Sequence, residues 1–414
     1  MGYECRVAEL TVRPTVEGDF EEFMGVSSTA FLDEWVEREP YTRRSFATHR
    51  FHVAVDRAGD GSEELVGTCG ILGRRVTFPG AGPTPVAAVT AVTVKPGHRR
   101  RGALTAMMRT QLDGLHETGG EAVAALWASE APIYGRFGYG RAAHFLSLDV
   151  PADTAFRTGV DLGVDRVRQL PRDEAEPLLA PVYDRVSAQS PGWLDRDELF
   201  WGMVLADLPE RRQGASELRF AVHPDGYALF RTRRGWGDRG PDGRIHVQEV
   251  VAATPVAAAA LWRHLLDYDL VGAVTADVAV DDPVTQLLHD PRRAVATHRD
   301  SLWVRLVDLD RALTQRRYSG DVDVVLEVSD GFCPWNAGRW RLTARADGPA
   351  TAARGDDDAD LRLDVADLGA AFLGGPTLVQ LAAAGRVVEL TPGALVPASR
   401  AFAGTRAPHC PEVF

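Results

Sequence analysis

The segment Val92-Thr93-Val94-Lys95-Pro96-Gly97-His98-Arg99-Arg100-Arg101-Gly102-Ala103-Leu104 constrains the fold of this chain more than any other. A β-branched apolar run ends at Val94, and Pro96 and Gly97 turn the chain. Leu104, Met107, Met108, Leu112 and Leu115 then recur at roughly helical spacing. A strand thus runs through a short basic loop into an amphipathic helix over Arg101–Glu117. A helix start presents backbone N–H groups without intrahelical partners at the positive end of its dipole, which makes it an anion site. Gly102 lets an anion approach the backbone closely, and the arginines add charge and a forked geometry suited to phosphate. The bland alternative is a solvated arginine run ahead of a surface helix; the strand before and the helix after favour the anion site. The chain has no G-x-x-x-x-G-K-[ST] and no G-x-G-x-x-G after a strand, so other phosphate loops fit worse.

Around this segment the pattern alternates. Strands are predicted at Glu4–Arg13, Phe51–Asp56, Glu64–Arg75, Val86–Val94, Ala122–Trp127 and Phe145–Val150, with helices at Asp19–Gly25, Ser28–Arg38 and Ala131–Phe137. That is a mixed α/β domain over residues 1–150. A second unit, 151–300, opens with helical stretches at Asp173–Ala188 and Asp195–Leu208. Strands follow at Leu218–His223, Tyr227–Arg233 and Arg244–Ala253, then a helix at Val256–Tyr268 and a strand at Gly272–Val280. The order of elements repeats the middle of the first unit, without sequence identity. Its central strand passes through Ala252-Ala253-Thr254-Pro255 straight into a helix, with no glycine and no arginine cluster at the turn. No second phosphate loop is expected there. The third unit, 301–414, has a helix at Leu309–Arg316, strands at Val322–Val328, Arg339–Ala346 and Leu361–Val365, and helices at Ala366–Phe372 and Thr377–Ala384.

Charge and composition narrow the function classes. Lys+Arg total 46 against Asp+Glu 58, a formal net charge of −12, which argues against a nucleic-acid partner and suits a cationic substrate. Cys5, Cys69, Cys333 and Cys410 form no C-x-x-C pair, as in a reducing compartment. The uncharged stretch Val76–Val94 is broken by Pro79, Gly80, Gly82, Pro83 and Pro85, so no membrane partner is expected and a soluble, cytoplasmic protein is. The 11 histidines form no H-E-x-x-H and no zinc spacing, so no metal is expected. No G-x-S-x-G nucleophile is present.

The other informative segment is Ala128-Ser129-Glu130-Ala131-Pro132-Ile133-Tyr134-Gly135-Arg136-Phe137-Gly138-Tyr139-Gly140. It follows the strand after the phosphate helix, where ligands bind at the parting of two parallel strands. A lone tyrosine there is more commonly a half-buried residue with a satisfied hydroxyl. Taken with VTVKPGHRRRG, the three-unit length and the terminal Phe414, the segment resembles the GNAT acetyltransferase superfamily, and within it the Eis-type (enhanced intracellular survival) branch.

The resemblance implies two tandem GNAT folds followed by a sterol-carrier-protein-like α/β domain. The first would be catalytic and the second degenerate. It implies acetyl-CoA as donor, amines as acceptors, notably aminoglycosides and for some members lysine side chains, and a homohexamer. Val92, Thr93 and Val94 would lie along the pantetheine arm, and Arg100, Arg101, Gly102, Ala103, Leu104 and Thr105 would hold the pyrophosphate. Ser129 and Glu130 would line the thioester side. Tyr134 would be the general acid and the α-carboxylate of Phe414 the general base, with Asp33 and Trp35 in the amine pocket. Leu104 departs from the pattern, which prefers Gly or Ala, and Trp127 stands where a smaller polar residue is expected. A tyrosine hydroxyl near ~10 suits protonation of a thiolate. A chain-end carboxylate is a weak base at ~3.3–3.7, which burial beneath Val413 and Phe414 would raise. Two other readings stay open: a protein or peptide lysine N-acetyltransferase, and a non-enzymatic carrier of an apolar small molecule in the third unit.

Overall fold

The computed structural model describes residues 9–33, 40–57, 62–238 and 240–414. Its first sheet has seven strands in the order Glu9–Pro14, Arg50–Arg57, Glu63–Phe78, Gly82–Val94, Val123–Trp127, Leu302–Leu306, Gly140–Arg141. One face is covered by the helix Ala103–Glu117, whose Met107, Met108, Leu112 and Leu115 are buried at the spacing read from the sequence. The helices Phe20–Phe31 and Pro40–Thr48 supply Phe20, Phe23 and Phe46, which pack with Phe51 in a chain of ring contacts of 5.1–5.4 Å.

Two irregularities in this sheet prepare a site. The strands Gly82–Val94 and Val123–Trp127 run parallel but pair only at Ala87–Ala124 and Ala88–Ala125, then part. In the hairpin between Glu63–Phe78 and Gly82–Val94, Thr68 faces Thr93 while Gly70 faces Thr90, so Ala91 and Val92 together oppose Cys69. This is a β-bulge, and Ala91 sits in it at φ +50°. Such a backbone costs an alanine about 1–3 kcal/mol and persists only where neighbours hold it. Here the Thr68 hydroxyl donates to the Ala91 carbonyl at 2.7 Å and lies 2.6 Å from the Thr93 hydroxyl.

The second sheet has the order Val295–Asp300, His144–Pro151, Val271–Ala279, Gly243–Ala252, Gly226–Arg233, Arg219–His223, Arg168–Leu170. The strand expected to close the first unit, His144–Pro151, therefore belongs to the second sheet. Leu302–Leu306, expected in the third unit, completes the first. Division at 1–150, 151–300 and 301–414 cuts across both sheets. The physical reason is a crossing of the chain on itself: Ala142 and Ala143 donate to the Leu302 carbonyl at 2.9 and 3.0 Å, and Ser301 donates to Ala143 at 3.0 Å. Alternation along a strand reports its two faces, not its neighbours.

The third unit is a five-stranded sheet, Ala350–Arg354, Gly338–Ala344, Val322–Ser329, Leu361–Asp364, Val387–Glu389, with four short helices. Its core is continuous with the first sheet: Val76, Phe78, Leu302 and Val304 pack with Leu326, Leu361, Phe372 and Phe402. Gly140 allows this contact, since a Cβ there would meet the Ala366 carbonyl and the Ala370 nitrogen. From the helix Leu395–Phe402 the tail crosses the second unit. Arg406 donates to Ser190 at 3.1 Å, Ala407 to Asp281 at 2.8 Å, and His409 to the Pro191 carbonyl at 2.9 Å. Among the described residues no helix is long and apolar enough to cross a membrane, and no group of three or more His, Cys, Asp or Glu has metal-binding geometry.

Candidate active site

The basic loop closes one cavity of about 810 Å³. After the turn Pro96–His98, Arg100 and Gly102 both take left-handed backbone, at φ +63° and +92°. The first helical hydrogen bond runs from Ala106 to the Gly102 carbonyl at 2.9 Å, so the N–H groups of Ala103, Leu104 and Thr105 have no intrahelical partner. No side chain caps this helix start. A Cβ added to Gly102 meets nothing within 4 Å, so the loop leaves room for a ligand to press on the backbone. Val92, Thr93, Val94, Arg100, Gly102, Ala103, Leu104, Thr105, Ser129, Glu130 and Tyr134 all line this cavity. These residues fit a diphosphate followed by an extended chain.

Arg101 does not line it. Its guanidinium lies 2.8 Å from Asp56 and 2.7 Å from His98 Nδ1, so it braces the loop against the neighbouring strand. Three successive arginines on a turning backbone diverge, and the carboxylate at Asp56 captures one of them. Leu104 packs its side chain against the core around Met108 and Leu112, leaving its N–H as the part that faces a ligand.

Tyr134 ends the short helix Ala131–Tyr134 and is 5% exposed. Burial pushes its hydroxyl up to about 12, and the charge of Glu130 adds to this. It therefore keeps its proton at any physiological pH. Its ring meets Tyr139 edge-on at 6.0 Å.

A second cavity of about 530 Å³ lies against Thr90 and Ala91, directly before the residues that wall the first. The bulge is thus common to both, where the two parallel strands part. This cavity is lined by Phe23, Phe46, Phe51, Phe200, Met24 and Met203 among others, and by the chain end, Pro411 to Phe414. Phe414 is half-buried and packs against apolar groups of the first and third units, whereas Val413 is 72% exposed. Val413 therefore does not contribute the burial expected of it.

What fixes the chain end is Glu412. One of its carboxylate oxygens accepts from Arg74 at 2.7 Å and the other from Arg196 at 2.8 Å, joining the first and second units. Arg196 also grips Glu249 through two hydrogen bonds of 3.0 and 2.8 Å, and Tyr227 donates to Glu249 at 2.9 Å. Arg74 lies 3.5 Å from the centre of the Phe200 ring and donates to the Asp195 carbonyl. Trp127 donates to Cys410 at 3.4 Å, so the residue that departs from the family pattern is a clamp on the tail. Thr68, Arg74, Arg196 and Glu412 were not singled out in the sequence. The one local signal was the position of Glu412 two residues from a chain end already of interest.

Asp33 lies outside both cavity walls. It is 55% exposed and pairs with Arg211 at 2.7 Å, while its neighbours Ala30, Phe31 and Leu32 line the first cavity. Trp35 lies outside the described residues. In the second unit the helix Pro255–Leu266 starts on Thr254, whose hydroxyl accepts from Ala257 at 3.2 Å. That helix start is closed by its own cap, in contrast to the open one at Gly102.

Comparison with known proteins agrees with this layout. Residues 11–142 match a family described as an acetyltransferase (GNAT) domain, residues 192–309 a second family of the same description, and residues 309–411 a sterol carrier protein domain. An uncharacterised N-acetyltransferase of Streptomyces avermitilis is 46% identical over 361 residues, 85% of this chain and 87% of that one. The N-acetyltransferase Eis of Mycobacterium tuberculosis is 38% identical over 343 residues, 81% of this chain and 82% of that one. The crystal structure of Eis1 from Mycobacterium abscessus superposes with a TM-score of 0.82 at 31% identity, covering 98% of this chain and 100% of that one.

Proposed function

Because this chain belongs to the Eis-type N-acetyltransferases of the GNAT superfamily, we propose that it transfers acetyl from acetyl-CoA to a primary amine by direct attack in a ternary complex. The observation that carries this reading is the junction of two cavities at the Ala91 bulge. One is walled by an uncapped helix start and Tyr134, the other by the chain end. The open N–H groups of Ala103, Leu104 and Thr105, with Arg100, suit the diphosphate of the donor. Val92, Thr93 and Val94 lie beyond the point where the parallel strands pair, so their free edge is available to an extended arm.

Acetyl-CoA supplies an activated acyl carbon. An ammonium has no lone pair, so the α-carboxylate of Phe414 takes a proton from the acceptor nitrogen. The C–N bond forms as the C–S bond breaks, and Tyr134 gives its proton to the departing sulfur; the acylated nitrogen then sheds its second proton, which restores Tyr134, and the proton held at the chain end passes to solvent, leaving an amide and the thiol. The burial that raises the tyrosine also raises a thiolate formed beside it, which keeps donor and acceptor of that proton matched.

Polycationic amines such as aminoglycosides are the acceptors the resemblance implies, with protein or peptide lysines as the alternative. The net charge of −12 supports capture of cations from solution. Thiol release across a panel of amines, with acetyl groups counted by mass spectrometry, tests the reading. Failure of acetyl-CoA to bind, or its binding without transfer to any amine, refutes it. A homohexamer is the assembly the resemblance implies, and sedimentation tests it.

A further inference from the structure

We propose that Phe332, carried by the sterol-carrier-like unit, is a positioning residue for Tyr134 of the first unit. This rests on the reading of Tyr134 as the general acid.

Tyr134 closes a helix of four residues, Ala131–Tyr134, and the single turn Gly135–Phe137 follows. Segments this short do not hold a conformation alone, so the place of the hydroxyl is set by what they pack on. Two bonds close the turn on itself: Gly138 donates to the Gly135 carbonyl at 3.0 Å and Tyr139 to the Tyr134 carbonyl at 3.3 Å. The turn therefore shifts as one piece, and the third unit meets its outer surface. The Phe332 ring lies edge-on to Phe137 at 5.0 Å, and Tyr134, Phe137, Tyr139, Phe332 and Cys333 share one buried cluster. Edge-on ring pairs are directional, so Phe332 fixes the rotation of the turn as well as its depth.

Phe332 is itself clamped from two sides. Arg109, on the helix Ala103–Glu117, lies over its ring at 3.8 Å and donates to its carbonyl. Asp330 accepts from the Phe332 and Cys333 N–H groups at 3.2 and 2.8 Å, and from the Arg305 guanidinium at 2.6 Å. Gly138 rests directly on that guanidinium, since a Cβ there would meet Arg305 Nη1. One loop of the third unit thus touches the acid-bearing turn at Phe137 and, through Arg305, at Gly138. The helix that Arg109 belongs to is anchored separately by its buried Met107, Met108, Leu112 and Leu115, so a change at Phe332 falls on the turn. A single unit then places both proton carriers: the base on its tail and the acid through this loop.

The test is a double-mutant cycle. Turnover is followed by thiol release from acetyl-CoA with kanamycin, spermidine or a lysine-rich peptide as acceptor, whichever reacts fastest. Phe332→Leu keeps an apolar side chain and removes the ring. It is expected to lower kcat about 10-fold, with the calorimetric Kd for acetyl-CoA within about twofold of wild type. In a Tyr134→Phe background the same change is expected to cost less than about twofold, because no hydroxyl is left to aim. A general loosening of the fold would slow both backgrounds equally. Arg109 is 41% exposed, so Arg109→Met loosens the clamp without opening the core. It should lower kcat about 3-fold, again only where Tyr134 is present, and it decides the matter where Phe332→Leu does not fold. Equal losses in the two backgrounds, or a kcat within about twofold of wild type in both single variants, overturn this inference and leave the acid assignment standing. Wild-type kcat in Tyr134→Phe overturns the acid assignment and this inference with it. Acetyl-CoA binding without thiol release on any of the three acceptors overturns the amine-acetylation reading as well.

Discussion

Replacing Glu412 with Gln keeps the shape of the side chain and removes one charge from the buried row Arg74, Glu412, Arg196, Glu249. The side chains of Arg74 and Arg196 are each 1% exposed, and that of Glu412 12%. Losing one partner of a buried ion pair costs about 3–5 kcal/mol when the other is left alone. Neither guanidinium is left alone here, because Arg196 keeps both bonds to Glu249 and Arg74 keeps Asp195 at 3.2 Å. The expected loss is therefore smaller, about 2 kcal/mol. It falls on the tail first, since the amide nitrogen turns a donor toward guanidinium donors and frees the chain end. A misplacement of about 1 Å in a catalytic group costs about 100-fold in rate. Steady-state thiol release should show kcat down about 100-fold with the KM for acetyl-CoA unchanged, because the loop at Gly102 is untouched. Carboxypeptidase should remove the C-terminus faster than in the wild type. A kcat within about twofold of wild type would refute the claim that this carboxylate positions the chain end.

Gly102→Val puts a branched side chain into the space left for the diphosphate and into backbone at φ +92°, so the KM for acetyl-CoA should rise steeply while circular dichroism stays near wild type. Tyr134→Phe should lower kcat by roughly 10²–10⁴ with both substrates still bound. Since burial raises this hydroxyl to about 12, the wild-type rate should show no alkaline loss from it below pH ~11. A C-terminal extension should abolish turnover and spare acetyl-CoA binding, whereas an N-terminal one should leave both unchanged. Burial lowers His409 to about 4, against 6.5 unfolded, so the unfolded chain gains a proton that the native one refuses. Its contribution to stability is intact above pH 6.5 and is lost as pH falls toward 4; a urea midpoint that does not fall over that interval more steeply in wild type than in His409→Gln would contradict this.

The strand, loop and open helix start around Gly102 were legible in the sequence because their parts are contiguous: a strand end, a glycine-bearing turn and a helix start lie within a dozen positions. Leu104 and Thr105 followed, since they act through their N–H groups. What could not be read was direction and partnership. Arg99, Arg100 and Arg101 look alike in the sequence, and the carboxylate that turns Arg101 aside lies on another strand. Arg74 and Glu412 are separated by 338 positions and Arg196 and Glu412 by 216, and nothing local distinguishes those arginines from the rest. The oddness of Trp127 was visible, but its reason, a hydrogen bond to Cys410, needed the folded tail. Phe145–Val150 was correctly read as extended, yet its sheet depends on where the chain crosses.

That crossing sets an order of events while the protein is being made. The strand Val123–Trp127 leaves the ribosome long before Leu302–Leu306, with which it pairs over five residues. At roughly 5–20 residues per second the first sheet waits for some tens of seconds with an apolar edge open. The second sheet meanwhile recruits His144–Pro151. The nascent chain therefore cannot finish its first half before its second, and a gene cut at residue 150 would yield two pieces each lacking a strand held by the other.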